Sequence, residues 1–397
     1  MSRHLVLTFP HSLGVPGGGA IHCRRLATAL REAGAEVTLV EVEAASMSLA
    51  KRPSPTATPA AARVREGLVA AGVELRSVPQ HRLAWWFDGA GVARELRRLI
   101  ERRPPDAVLG WWGELSRSTG LLAAHGIFSG LLAAAPYSLW WKRPFGALRV
   151  LQHRMDEWVV ARTARRVDRV FANSAYTAGE VATVLGVDPA RIEVVYPPLP
   201  SRFARPDRVL SGKIERLIFF GRLRPKKGIL DLIAALGRLE SEAWQLRVAG
   251  SGDADSVLRS AREHGIGDRV TLLGELEPER LSDELARAQV AVLPSHEESF
   301  GLAVAEAQLA GLPVVAYDAG AISEICESGA TGWLVPTGDV AALAAALREA
   351  LRRPDETARR GRVARDRAQA LLDRSPAETI LRAVDAWRTS RREVEGR

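Results

Sequence analysis

The segment VAVLPSHEESFGLAVAEAQLAGLPVVA, residues 290–316, contains a complete pattern of strand, loop, helix and strand. An apolar β-rich run, Val290 to Leu293, leads through a polar loop into a helix whose predicted N-cap is Ser299. Gly311 ends that helix, and Pro313 opens the next apolar run. Two buried strands joined by a helix form the βαβ unit of a parallel sheet. The segment therefore predicts an α/β fold.

The same alternation extends in both directions along the chain and forms two series of apolar runs separated by helical patterns. Residues 47–62, rich in Ala, Ser, Thr and Pro, interrupt the first series and are expected to form a surface loop. The predicted strands of the first series are Leu5 to Phe9, Val37 to Val42, Val73 to Val78, Ala107 to Gly110, Ile127 to Ala133, Val170 to Ala172 and Ile192 to Val195. Those of the second series are Leu217 to Phe220, Gln245 to Ala249, Val270 to Leu273, Val290 to Leu293 and Val314 to Ala316.

A proline-rich stretch without helical or alternating periodicity separates the two series at Pro197, Pro198, Pro200 and Pro206. A chain of 397 residues is long enough for two domains that each bury a core. We therefore expect two doubly wound, Rossmann-like domains, over residues 1–200 and 201–375. A final helix over residues 376–392 is expected to fold back onto the first domain.

The composition is that of a soluble, reduced protein. The chain has only two cysteines, Cys23 and Cys326, which leaves no disulfide framework and no Cys-based zinc site. Residues 120–141 lack charged side chains and approach the length of a membrane span. His125, Gly126 and Pro136 divide that stretch into a short helix and a strand, so no transmembrane segment is expected. The expected compartment is the cytoplasm, with peripheral attachment to the inner face of a membrane left open.

The net charge of +8 lies entirely in the first half of the chain, where residues 1–200 carry 25 Lys and Arg against 17 Asp and Glu. A basic field attracts anionic partners, which predicts an acceptor that is anionic or presented at an anionic membrane surface. The alternative is a solvated surface in an Arg-rich protein. Nucleic acid is not expected, because its recognition motifs are absent. The basic residues of this half include nine arginines around two predicted helices: Arg94, Arg97, Arg98, Arg102 and Arg103, then Arg162, Arg165, Arg166 and Arg169.

The loop and helix that follow Leu293 have the features of an anion- and hydroxyl-binding site. The backbone N–H groups of Phe300, Gly301 and Leu302 are predicted to point out of a helix N-terminus at the carboxyl end of a sheet. Glu298 lies at the mouth of this site. Glu306 lies nearly two turns into an apolar helix, where a buried carboxylate needs hydrogen-bond donors such as sugar hydroxyls.

A basic turn, FFGRLRPKKG at residues 219–228, follows a predicted strand of the same domain. The guanidinium of Arg222 and the ammonium of Lys227 suit a diphosphate. Taken alone, this turn is equally compatible with a solvated basic loop.

Together these segments resemble the retaining glycosyltransferases of glycosyltransferase family 4, which have the GT-B fold of two Rossmann-like domains facing across a cleft. The resemblance covers nearly the whole chain and is strongest in the second half. The matching residues, in order, are Gly17-Gly18-Gly19, Asn173-Ser174, Gly221-Arg222-Leu223, Lys227-Gly228, Gly250-Ser251-Gly252, Glu298 and Glu306 with seven residues between them, and Gly311 to Val315.

The resemblance implies metal-independent transfer from a nucleoside diphosphate sugar to an acceptor, with retention at the anomeric carbon and no cofactor. It implies that Arg222 and Lys227 hold the diphosphate, that Glu306 binds the ribose hydroxyls, and that Glu298 binds the sugar. Arg222, Lys227 and Glu298 are the candidate catalytic residues. The candidate donor-binding set adds Gly18 and Gly19, from the first domain, and Gly250, Ser299, Phe300, Gly301, Leu302 and Glu306.

The first domain departs from the family pattern at one place. The family has a histidine after the strand corresponding to Ile127 to Ala133, whereas this chain has Ala134-Ala135-Pro136-Tyr137. Neither His125 nor His153 is assigned that role. Adjacent tryptophans offer apolar area for an acceptor, and the candidates are Trp111, Trp112, Trp140 and Trp141; core packing is the alternative for them.

Other functions compete for the same residues. The glycines at 14–19 do not have the Gly-x-Gly-x-x-Gly spacing of a dinucleotide enzyme. Asp253-Ala254-Asp255 is interpreted as a helix cap and not as a metal site. A nucleotide-sugar epimerase or a phosphorylase on the same fold remains open, as does a nucleotide-sugar-binding protein without turnover.

Overall fold

The computed structural model describes residues 2–14, 17–43, 59–79, 88–134, 147–205, 210, 212–239 and 242–395. This part of the chain divides into two compact units. The first comprises residues 1–198 and 375–397, and the second comprises residues 199–374. The C-terminal segment thus belongs to the first unit.

The first unit contains a seven-stranded parallel sheet of order β3-β2-β1-β4-β5-β6-β7. The order reverses between β1 and β4, which defines a doubly wound sheet with a switch point at that pair. Its strands are β1 (His4–Phe9), β2 (Glu36–Glu43), β3 (Glu74–Pro79), β4 (Ala107–Gly110), β5 (Phe128–Ala133), β6 (Arg169–Ala172) and β7 (Ile192–Val194). Its helices are α1 (Gly18–Glu32), α2 (Pro59–Ala70), α3 (Asp88–Arg102), α4 (Thr119–Ala124), α5 (Ala147–Ala164), α6 (Ala175–Thr183) and α14 (Pro376–Glu395).

The second unit contains a six-stranded parallel sheet of order β10-β9-β8-β11-β12-β13. Its strands are β8 (Arg216–Phe220), β9 (Gln245–Ala249), β10 (Val270–Gly274), β11 (Val290–Leu293), β12 (Val314–Tyr317) and β13 (Gly332–Val335). Its helices are α7 (Ile229–Leu236), α8 (Ala254–Glu263), α9 (Pro278–Arg287), α10 (Leu302–Leu309), α11 (Ile322–Ile325), α12 (Val340–Arg352) and α13 (Pro354–Leu372). Its switch point lies between β8 and β11, which are paired through Val290 and Leu217.

These two parallel sheets confirm the predicted α/β class. Parallel strands covered by helices on both faces are buried and near-continuously apolar, as β1, β4, β5 and β11 are along their whole length. The prediction of a loop over residues 47–62 is wrong at its end, because Pro59 starts α2. Proline suits the first turn of a helix, where its missing N–H leaves no bond unmade. Residues 44–58 lie outside the described part of the chain.

Helix α14 packs on the first sheet through both apolar and polar contacts. The Trp387 ring packs edge-on to Phe128 of β5 with centroids 5.6 Å apart, and its Nε1 donates to Asp168 at 3.0 Å. Arg3 binds Asp385, and Arg388 binds Asp106. Residues 120–134 form α4 and β5, and no helix in the described part of the chain is long and apolar enough to cross a membrane.

Candidate functional site

The loops that follow β8 and β11 meet at the switch point of the second sheet. The backbone N–H of His296 donates to the carbonyl of Lys226 at 2.9 Å. Gly228 has a left-handed backbone with φ of 68°, and a Cβ at this position would lie 1.8 Å from the carbonyl oxygen of Pro294. Only glycine allows this approach of two main chains. In open α/β sheets, the carboxyl edge beside a switch point is where ligands bind.

The loop after β9 joins the same cluster. The backbone N–H of Leu223 donates to the carbonyl of Ser251 at 2.8 Å. A Cβ on Gly250 would lie 1.8 Å from the carbonyl oxygen of Gly221, so this position also requires glycine. Asp253 caps α8 by accepting from the N–H of Ser256 at 3.0 Å, which confirms the interpretation of that residue as a cap.

An ion pair connects the two principal loops of the site. Lys227 Nζ lies 2.5 Å from Glu298 Oε1, and both side chains are mostly buried. The neighbouring pair, Lys226 and Glu297, is looser at 3.8 Å. The structure therefore brings together Lys227 and Glu298, two residues predicted for the site from segments 71 positions apart.

Arg222 is half-buried beside this pair and forms no ion pair with a carboxylate within the described ranges. Burial lowers the pKa of its guanidinium, and the positive charge of Arg224 lowers it further, while the charge of Glu298 acts in the opposite direction. Burying a cation without a close counter-ion is unfavourable. An anion bound at this position would relieve that cost.

The prediction that Ser299 caps helix α10 is wrong. The helix starts at Leu302, and its N-cap is Gly301, whose φ of 96° lies in the left-handed region. The N–H groups left without a helical partner in the first turn are those of Leu302, Ala303 and Val304. The N-terminus thus begins later than predicted, and Phe300 is buried with 2% of its surface exposed.

Glu306 lies in the second turn of α10 and is only 8% exposed. The helix around it is buried along most of its length, including Gln308, whose Nε2 donates to Thr331 Oγ1 at 3.2 Å. The chain leaves α10 through Gly311, and the N–H of Leu312 donates back to the carbonyl of Ala307 at 3.0 Å. This pattern is the Schellman motif expected of a glycine that ends a helix.

A polar cluster that was not predicted from the sequence lies behind the two loops. Asp231 Oδ2 lies 2.9 Å from His296 Nε2 and accepts from the hydroxyl of Tyr317 at 2.8 Å. Burial raises the pKa of Tyr317 above its usual value, and the hydrogen bond to Asp231 raises it further. Only the order of the strands could have indicated this cluster, because Asp231 follows β8, His296 follows β11 and Tyr317 ends β12.

The predicted residues of the first unit that the structure describes, Gly18, Gly19, Trp111 and Trp112, lie near the switch point of its own sheet. Gly18 and Gly19 open α1, the helix that comes after β1 in the chain, and a Cβ on Gly18 would have no atom within 4 Å. Trp111 follows β4 but is 1% exposed, packed edge-on to Phe9 and His22. Its assignment to an acceptor surface is therefore corrected to the core, whereas Trp112 is partly exposed. Trp140 and Trp141, and residues 135–137 of the family-histidine region, lie outside the described residues.

Two family models match adjoining parts of the chain. The model described as Glycosyltransferase Family 4 matches residues 16–201, and the model described as Glycosyl transferases group 1 matches residues 201–367. Among curated proteins, the chain is 36% identical over 222 residues to the D-inositol 3-phosphate glycosyltransferase of Gordonia bronchialis, covering 51% of this chain and 48% of that protein. It is 36% identical over 245 residues to the glycogen synthase of Mycobacterium tuberculosis, covering 60% and 58%. The matches thus span about half the length of these relatives.

Solved structures share the fold at low sequence identity. The sucrose-phosphate synthase of Thermosynechococcus elongatus aligns with a TM-score of 0.78 and 18% identity, covering 98% of this chain and 100% of that one. Anabaena Alr3699/HepE in complex with UDP-glucose aligns with a TM-score of 0.73 and 18% identity, covering 97% and 99%. With two adjoining models that together match residues 16–367, the chain belongs to the glycosyltransferases of these two families and has the GT-B fold.

Proposed function

We propose that this protein transfers a sugar from a nucleoside diphosphate sugar to an acceptor, with retention at the anomeric carbon and without a divalent metal. The observation that carries the proposal is the Lys227–Glu298 pair, which joins the loops after β8 and β11 at the switch point of the second sheet. In the structure these two charges neutralise each other. A donor would replace both partners, since phosphate oxygens accept from Lys227 and sugar hydroxyls donate to Glu298.

The diphosphate is assigned to Arg222 and Lys227. A half-buried guanidinium without a close carboxylate supports this assignment, because a bound anion would offset its desolvation. The first-turn N–H groups of α10 and the positive end of its dipole add further donors for the donor's oxygens. Glu306 is proposed to bind the ribose hydroxyls, and uridine is the proposed base because HepE was crystallised with UDP-glucose.

The chemistry proposed is stabilisation of the leaving group by fixed charges. As the bond from the anomeric carbon to the diphosphate breaks, negative charge grows on the phosphate oxygen, and Arg222 and Lys227 stabilise it. These fixed cations take the role that a divalent metal has in other phosphate chemistry. The acceptor hydroxyl forms its bond to the anomeric carbon on the face from which the diphosphate leaves, and the departing phosphate oxygen accepts the hydroxyl proton. Retention then needs neither an enzyme nucleophile nor an enzyme base.

A thermal-shift screen tests the donor assignment, because a ligand that binds the native state raises the apparent melting temperature. UDP, ADP, GDP, the corresponding monophosphates and a panel of nucleotide sugars would be compared. We expect a diphosphate to raise the melting temperature more than its monophosphate does. No stabilisation by any nucleoside diphosphate would contradict the proposed function.

A further inference from the structure

Helix α5 of the first unit presents an outward stripe that contains no acidic residue. The exposed positions of its described part are Arg154, Met155, Trp158 and Arg162, and two further exposed arginines, Arg165 and Arg166, form the turn directly after the helix. Arg154, Trp158 and Arg162 recur every four residues, which places them on one face of the helix, and Arg165 and Arg166 continue from its C-terminal end. The intervening residues, such as Val160 and Ala164, pack into the core.

The apolar members of this stripe are unusually exposed. Trp158 is 58% exposed and Met155 is 42% exposed, which places both among the large apolar side chains that the structure leaves in water. The guanidinium of Arg162 lies 5.4 Å from the centre of the Trp158 ring, so a cation and an aromatic ring share one position on the surface. Exposed tryptophan beside arginine is typical of segments that lie in the headgroup layer of a bilayer.

A groove of about 400 Å³ runs beside the stripe. Four arginines, at 154, 162, 165 and 166, line it together with Glu157 and Val184. Within the described ranges, neither Arg162 nor Arg166 forms an ion pair with a carboxylate. By contrast, Arg98 and Arg103 of the α3 region are paired with Glu95 and Glu36. The α5 groove therefore offers positive charge that the protein does not itself neutralise.

The stripe lies away from the predicted acceptor residues of the same unit. In a parallel sheet, the C-terminal end of α5 lies near the amino end of β6, and Val184, after α6, lies near the amino end of β7. Gly18 and Trp112 follow the carboxyl ends of β1 and β4, at the opposite edge of the sheet. A partner bound along the last turns of α5 is therefore separate from a small acceptor bound at the carboxyl edge.

We propose that the exposed face of α5 is a docking surface for an anionic phospholipid bilayer. Trp158 and Met155 would enter the headgroup region, while the groove arginines bind lipid phosphates. Apolar insertion and phosphate contacts together distinguish a bilayer from a soluble phosphate, which needs only the cations. The proposal does not depend on the donor chemistry of the second unit.

The test is sedimentation of the purified full chain with vesicles of phosphatidylglycerol in phosphatidylcholine, compared with vesicles of phosphatidylcholine alone. We expect binding to the anionic vesicles that weakens as salt increases. The variant Arg162→Gln/Arg166→Gln should bind at least about tenfold more weakly, since each cation near an anionic surface contributes several-fold. Trp158→Ala should also weaken binding, and Arg162→Lys/Arg166→Lys should restore it.

A matched control removes two exposed arginines from another helix of the same unit, in Arg94→Gln/Arg97→Gln. It should retain vesicle binding, and circular dichroism and the melting temperature would show that every variant is folded. If Arg94→Gln/Arg97→Gln lost as much vesicle binding as Arg162→Gln/Arg166→Gln, the assignment of the docking surface to α5 would be overturned. Absence of anionic-vesicle binding by the unmodified chain would overturn the proposal outright. So would binding of an oligonucleotide, but not of vesicles, through Arg162 and Arg166, which would assign the groove to a soluble polyanion.

Discussion

Replacing Lys227 by alanine tests the assignment of the diphosphate to Arg222 and Lys227, because Lys227 is held in place by its ion pair with Glu298. The variant removes a cation that contacts Glu298 at 2.5 Å and leaves that carboxylate, only 18% exposed, without its partner. The affinity for UDP should fall for two reasons: a charged hydrogen-bond donor is lost, and an unneutralised carboxylate now repels the phosphates. A charge-assisted hydrogen bond contributes about 2 kcal/mol, which corresponds to a Kd for UDP about 30-fold higher.

Isothermal titration with UDP measures this change, and the adjacent lysine provides a matched control. Lys226 lies in the same turn, but its pair with Glu297 is 3.8 Å long and its side chain is 40% exposed. We expect Lys226→Ala to change the Kd by less than about threefold, as is usual for an exposed pair. In Lys227→Ala/Glu298→Gln, removal of the carboxylate should recover part of the lost UDP affinity, because UDP carries no sugar for Glu298 to bind.

The assignment of the diphosphate to Lys227 would be refuted if Lys227→Ala bound UDP as tightly as the unmodified chain. It would also be refuted if Lys226→Ala lost as much affinity as Lys227→Ala, since the effect would then be a general loss of positive charge from the turn. Far-ultraviolet circular dichroism of each variant separates a change of affinity from a loss of fold.

Three further predictions concern stability and metal dependence. Gly228→Ala should lower the free energy of unfolding in urea by more than about 2 kcal/mol, because a left-handed φ of 68° is combined with a Cβ directed at the Pro294 carbonyl; unchanged stability would contradict the close packing of the two loops. Burial lowers the pKa of His22 to about 4, so its neutral form contributes to stability above the unfolded pKa of 6.5. That contribution, about 3 kcal/mol, should be lost as the pH falls from about 6.5 to 4, and His22→Leu should reduce this pH dependence. Turnover of donor should persist in EDTA, and a loss of turnover that added magnesium restores would count against fixed cations as the stabilising groups.

Local patterns were sufficient for the strands and helices that are long and buried. The run from Leu5 to Phe9, which has one polar residue, and the one from Val290 to Leu293 are predictable because strands buried on both faces are near-continuously apolar. β13 was missed because it is a short edge strand that begins at Gly332, where a Cβ would lie 2.1 Å from the carbonyl oxygen of Val314. A glycine required by close packing looks, in sequence, like a turn.

The residues of the site could be predicted from the sequence, but the contacts between them could not. Arg222, Lys227 and Glu298 could be named because charged residues follow strands of one sheet, yet the Lys227–Glu298 pair depends on how two loops pack. Ser299 has the usual preference of an N-cap, but the left-handed turn at Gly301 delays the helix, and that turn depends on packing against Ile322. Asp231, His296 and Tyr317 are too far apart in sequence for any local pattern to connect them.

Sugar transfer by this protein can be followed directly in a time course of UDP-sugar turnover with and without acceptors, analysed by mass spectrometry and proton NMR. We expect that the acceptor gains one sugar for each UDP released, that the new bond keeps the anomeric configuration of the donor, and that UDP release slows strongly in Lys227→Ala. Epimerisation of the sugar while it remains on the nucleotide, or tight donor binding without release of UDP under any acceptor, would contradict this expectation.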